Sequence, residues 1–214
     1  MTAVGNARTE AGTADELLNV AERLFAERGV ENVALTQIVA ASGQKNRSAL
    51  HYHFGSRDGV LTAVLNRRLG PINARREALL SALPAAAGPI EVLRAMIGGL
   101  GEIAIEEPWG PDYLSILAQV MFHPQLLGGR AVEEAGLSGM RRGRRRLIEA
   151  VGRPEALLAQ RMAWLTDSVV FALARWVHDT PPANRTPAGM AALIHQLATY
   201  GVGGLSAPDP TPET

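Results

Sequence analysis

Gln44, Lys45, Asn46, Arg47 and Ser48, then His51, Tyr52 and His53, then Arg57, form a run of side chains with hydrogen-bonding or cationic tips, and no Asp or Glu lies between Asn32 and Arg57. Asn and Gln can pair bidentately with adenine, and Lys and Arg with guanine. Hydroxyl, imidazole, phenol and guanidinium tips suit phosphate oxygens, contacts that position a protein without reading sequence. Double-stranded DNA is the surface that wants both sets side by side. His51 and His53 do not read as a metal site, because residues two apart on a helix face different ways and no Cys or acidic ligand accompanies them. No Gly-rich phosphate loop, nucleophile elbow or cofactor motif occurs, so neither an enzyme nor a cofactor is expected.

Such tips need a helix to carry them into a groove and another to brace it. The segment Thr36 to Asp58 has that layout: a helix from about Leu35 to Ser42 with Ile38 and Val39 inward, a turn at Gly43, and a short helix from about Asn46 to His53. Thr36 opens the first of these and can offer its hydroxyl and amide to a phosphate. Gln44 to Arg47 sit where the reading helix begins, and His51, Tyr52, His53 and Arg57 sit where phosphates run. A preceding helix is expected from Thr13, with Glu16 in capping-box spacing, to Gly29, burying Leu17, Leu18, Ala21, Leu24 and Phe25. A following one starts after Ser56 as N-cap and runs towards Gly70-Pro71. Leu50 and Phe54 join the core.

This segment, from about residue 13 to 70, resembles the N-terminal domain of the TetR family of one-component transcriptional regulators. The likeness rests on Leu24, Phe25 and Gly29, on Thr36 before Ile38-Val39-Ala40, on Gly43, and on an aromatic-rich exit ending in Phe54 and Arg57. It implies a homodimer, a divergent helical C-terminal domain that binds a small effector, and repression relieved by that effector; a DNA-binding activator or a partner-controlled regulator is the alternative. Between Gly43 and Phe54 the chain is one residue longer than the commoner pattern, and His51 stands where Tyr is usual. Base-contact roles within Gln44 to Ser48 are therefore not assigned singly, while the phosphate roles of Thr36, Tyr52, His53 and Arg57 carry over.

The remainder also reads as helix. Apolar residues recur at three and four along most of the 214 residues, strand-like alternation is scarce, and prolines from Pro89 to Pro187 punctuate segments at about 89–106, 111–122, 130–151, 154–179 and 187–203. An all-α protein follows, with a helix-turn-helix DNA-binding domain at 13–70, a larger ligand-binding and dimerisation domain at 71–205, and disordered tails at 1–12 and 206–214. Met96, Leu100, Trp109, Tyr113, Leu117, Met121, Phe122, Trp164 and Phe171, with His123 and Asp167 as polar contacts, are candidates for an apolar effector pocket. The segment 154–179 is apolar on more than one face and must cover two sides. The last two helices are thus the expected dimer interface, with Trp176, Val170 and Leu197 in it. The arginines from Arg141 to Arg146 read as a solvated helix face.

Zero cysteines exclude disulfides and thiolate chemistry, and a net charge of zero confines DNA contact to a patch. The first dozen residues lack an apolar signal core, and no apolar run approaches the roughly 20 residues that span a bilayer. A cytoplasmic protein without membrane contact is expected.

Overall fold

The computed structural model describes residues 3–43, 54–127 and 134–208, which are helical apart from turns and divide into two compact units, 1–69 with 112–133 and 70–111 with 134–214. The helices are α1 (Ala3–Arg28), α2 (Leu35–Ala41), α3 (Arg57–Ala82), α4 (Pro89–Glu106), α5 (Gly110–Phe122), α6 (Ser138–Val151), α7 (Glu155–Asp179) and α8 (Pro187–Ser206). The bounds expected for α2, α4, α5, α7 and α8 hold within about three residues. Three expectations fail. α6 begins at Ser138 rather than near 130, following a short turn at Glu134–Leu137. α1 begins at Ala3 rather than Thr13, because Ala3, Ala7, Glu10, Ala11 and Ala14 favour helix and extend it through the segment expected to be disordered. α3 does not stop at Gly70-Pro71 but runs on to Ala82 with Pro71 inside it. Proline there removes the N–H that would meet the Arg67 carbonyl. The helix survives because Leu61 and Leu65 on one side and Ile72, Arg76 and Leu80 on the other continue a single buried stripe.

The core of the first unit takes Leu17, Ala21, Leu24 and Phe25 from α1, Ile38 from α2, Val60, Leu61, Val64 and Leu65 from α3, and Tyr113, Leu114 and Ile116 from α5. Burying each large apolar side chain contributes about 1.5–3 kcal/mol. Among these sits Glu22, whose side chain is only 4% exposed. Its carboxylate accepts from Arg68 Nη2 at 2.6 Å and Nε at 3.0 Å, and from Arg67 Nη2 at 3.4 Å; Arg67 also bonds the Asn19 side chain. Burial, and then the neighbouring Arg68, lowers the pKa of Arg67 from its ordinary value, while Glu22 and Asp15 pull it back up.

In the second unit α4 is the axis, packed by α8, α6 and α7, with Val92, Leu93, Ala95, Met96, Ile97, Leu100 and Ile103 buried. α3 lies so close that a Cβ on Gly99 would stand 2.6 Å from Arg76 Cβ and 3.0 Å from its Cα, so only glycine fits. The helix ends are satisfied locally. Thr186 Oγ1 accepts from Gly189 N at 3.1 Å to cap α8, and Asn73 Oδ1 accepts from Gly139 N at 2.7 Å at the start of α6. Arg142 reaches Glu77 at 2.8 Å, and Arg146 donates to the Leu80 and Pro84 carbonyls at 2.6 and 2.8 Å. Arg142 and Arg146 thus fasten α6 to the end of α3; Arg142 stays exposed with Arg141, Arg144 and Arg145, in keeping with a solvated face, while Arg146 is half-buried.

Candidate nucleic-acid interface and cavity

In the first unit α1 ends at Gly29, whose φ of 86° is open to glycine, and its amide donates to the Phe25 carbonyl at 3.0 Å. A short turn, Val30–Asn32, follows. The Val30 N–H, on a fully buried residue, donates to Gln119 Oε1 of α5 at 2.8 Å, so α5 holds the α1–α2 junction in place. α2 starts with Gln37 Oε1 accepting from Ala34 N at 2.8 Å and buries Ile38 and Val39. Its other face is exposed, Thr36 included. At its end Ser42 N donates to the Ile38 carbonyl at 3.0 Å, and Gly43 turns the chain at φ 67°. The expected helix, glycine and turn are therefore in place with Thr36 outward.

Gln44, Lys45, Asn46, Arg47, Ser48, His51, Tyr52 and His53 lie outside the described residues. On the far side Ser56 caps α3, its Oγ accepting from Gly59 N at 3.1 Å. Arg57 opens that helix a third exposed; it pairs with Asp58 at 3.3 Å and donates to the Glu31 carbonyl at 3.4 Å. These contacts stretch the Arg57 stem across the α1–α2 junction, and a phosphate would compete for a guanidinium already lightly held.

A cavity of about 70 Å³ lies within the second unit. α4 contributes Leu93, Met96, Ile97 and Leu100, α6 contributes Met140 and Leu147, α7 contributes Met162, Leu165, Thr166, Val169 and Val170, and α3 contributes Arg76. Of the residues nominated for a pocket, Met96 and Leu100 line it. Trp164 is 59% and Phe122 66% exposed, and His123 and Asp167 are exposed too. Trp109 and Phe171 are half-buried outside the lining, as are Leu117 and Met121, while Tyr113 is core; Tyr113, Leu117, Met121, Phe122 and His123 belong to the first unit. Val170, expected at a dimer interface, is buried in its own unit. The sequence reading missed Arg76, Met140 and Met162. Arg76 carried a legible signal: a cation where the stripe Ile72, Arg76, Leu80 calls for an apolar residue.

α7 is, by length and composition, long and apolar enough to cross a bilayer, contrary to the sequence expectation, and only 22% of its most apolar stretch is buried. The apolar residues are spread round the helix between Arg161, Asp167 and Arg175, which conceals them from a count of consecutive apolar positions. Trp164 on α7 and Tyr200 on α8, the latter 71% exposed, are large hydrophobic side chains facing solvent.

The described head is all-α, with α1, α2 and a glycine turn. Residues 17–64 match the family model of bacterial regulatory proteins of the TetR family. The HTH-type transcriptional repressor AcnR of Corynebacterium glutamicum is 28% identical over 106 residues, 49% of this chain and 47% of that repressor, so the match spans about half of the relative's length. Among solved structures, the fatty acid degradation regulator FadR from Bacillus halodurans has a TM-score of 0.61 at 13% identity, covering 89% of this chain and 95% of its own. The ketosteroid transcriptional regulator KstR2 of Mycobacterium tuberculosis has 0.55 at 17%, covering 89% and 93%. At these identities the likeness is one of fold.

Proposed function

We propose that this protein is a sequence-specific transcriptional regulator, a repressor that binds a palindromic operator as a homodimer and is released by a small, largely apolar effector. The observation that carries the reading is the family-type head, with its Gly43 turn, exposed Thr36 and an acid-free stretch from Asn32 to Arg57. Phosphate grip by Thr36, Tyr52, His53 and Arg57, with base reading by Gln44 to Ser48, follows from the residue chemistry. The open face of α7 and α8 supports self-association, since so large an apolar surface is costly in water. Two reading helices about 34 Å apart would then address one face of DNA, and an effector in the cavity of the second unit would shift that spacing.

The test is selection from a random DNA pool with the purified protein. A palindromic winner bound far more tightly than random sequence supports the reading; steep salt-dependent binding of both, with no preference, sinks it. Sedimentation of Trp164→Glu and Tyr200→Glu checks the dimer: monomers are expected, with weakened operator binding. Unchanged dimers would move the interface elsewhere.

A further inference from the structure

We propose that the outward arginine face of α6 binds a small molecule carrying a diphosphate, of the nucleoside di- or triphosphate class, through Arg141, Arg144 and Arg145. The site shares no lining residue with the methionine-lined cavity and does not depend on the effector reading.

Helical position sorts the five arginines of α6 into two sets. Arg142 and Arg146, four apart, turn towards α3 and commit their donors to Glu77, Ser81 and the Leu80 and Pro84 carbonyls. Gly139, Gly143 and Leu147, four apart again, are buried. Arg141, Arg144, Arg145 and Ile148, at spacings of three and four, make the remaining face. No acid occurs from Ser138 to Ile148. Arg141 and Arg145 make no hydrogen bond or ion pair among the described residues, and Arg144 meets Glu155 at 3.5 Å in an exposed pair. Like charges at these spacings repel, so the face is unfavourable as it stands and gains from an anion that bridges it.

A merely solvated face would need no hollow beside it. Here the three arginines, with Ile148, Glu149 and Glu155, line an open cavity of about 370 Å³ between α6 and the start of α7. That falls within the roughly 300–1,000 Å³ of small-molecule pockets. Side chains three and four apart on a helix have Cβ atoms about 5–6 Å apart, so three guanidiniums can converge on one group. Each presents a planar fork that meets phosphate oxygens in two parallel hydrogen bonds. Three cations exceed what a single carboxylate calls for, and a diphosphate matches them. Glu149 and Glu155 supply what a phosphate does not use: acceptors for sugar hydroxyls or a base amino group, with Ile148 as an apolar seat beside them. The same two carboxylates work against a continuous DNA backbone, whose charge recurs about every 1.7 Å.

The experiment is calorimetric titration of the full-length protein with ADP, adenosine and inorganic pyrophosphate at about 0.15 M salt, where attraction beyond about 8 Å is screened. ADP is expected to bind at least about tenfold more tightly than adenosine, the usual scale for charge-assisted hydrogen bonds, and more tightly than pyrophosphate. Arg141→Gln combined with Arg145→Gln should weaken ADP by a similar factor without lowering the melting temperature, since neither side chain makes a hydrogen bond or ion pair within the described fold. Absence of ADP binding, or binding that the double variant leaves unchanged, overturns the site. Pyrophosphate bound as tightly as ADP overturns the nucleoside part of the assignment. A double variant that loses affinity for random-sequence duplex DNA, where the wild type does not bind ADP, assigns the face to nucleic acid instead.

Discussion

The two units bury charge in opposite ways. In the first, Glu22 is enclosed by Arg67 and Arg68, so a buried anion has its cations within the same core and the elements α1 and α3 are tied to each other. In the second, Arg76 is buried beside a backbone carbonyl and the wall of a cavity. A closed ion cluster resists rearrangement, because separating its members strands a charge in low dielectric. Around the cavity the wall is instead set by packing, with Met96, Met140 and Met162 as its most adaptable side chains. The contrast is between a unit tied by a closed ion cluster and a unit whose interior includes a methionine-lined cavity.

The sharpest way to break the contrast is Glu22→Ala. It leaves Arg67 and Arg68 facing each other in the core, and we expect a loss of about 3 kcal/mol or more in chemical denaturation. A loss below about 1 kcal/mol would mean the cluster is solvated and the head owes its order to apolar packing alone. Next comes Gly99→Ala in the second unit. Its new Cβ would lie 2.6 Å from Arg76 Cβ, and overpacking of this kind costs about 1–3 kcal/mol. Here the readout is a thermal melt together with effector titration. If helix α4 simply shifts, stability falls little while ligand affinity changes, which would show that the body is as yielding as its methionines suggest. Gln119→Ala is milder. It strips the Val30 N–H of its acceptor, for about 1 kcal/mol, and should weaken operator binding more than it lowers the melting temperature, since the α1–α2 junction positions α2. Equal effects on both would make Gln119 a purely structural bond.

How much of this was legible follows from the range of the interactions. Helix existence came from local periodicity, and the turn at Gly43 from a residue that alone tolerates positive φ, so α2 and its cap were readable. The end of α3 was not, because a proline's local cost was outweighed by a buried stripe on both sides of it. Pocket residues were chosen by type, and type does not say which face of α7 is covered: Trp164 points to solvent while Met162, two positions away, lines the cavity. The bonds of Arg142 and Arg146 were not legible because their acceptors on and just beyond α3 are some sixty residues distant. The reading segment, Gln44 to His53, rests on residue chemistry and resemblance alone.

The smallest effect concerns Asp112, half-buried in the first turn of α5. Burial, and then the charges of Glu22 and Glu27, raise its pKa above the ordinary carboxylate value; Arg23 opposes them. A carboxylate at a helix N-terminus normally gains about 0.3–1 kcal/mol from the helix dipole, so an upward shift means that desolvation and repulsion exceed that gain. The folded state therefore binds the Asp112 proton more tightly than the unfolded chain does. Its stabilisation is full below the unfolded value of about 3.9 and is lost as pH rises through the higher folded value, leaving the ionised group a liability at neutral pH. Asp112→Asn should accordingly raise the melting temperature slightly at pH 7, and the gain should vanish by about pH 3, where the wild-type carboxyl is already neutral. A melting temperature that falls at pH 7 would place the dipole's attraction above the repulsion from Glu22, and would mean that the acid cluster of the head is screened from α5.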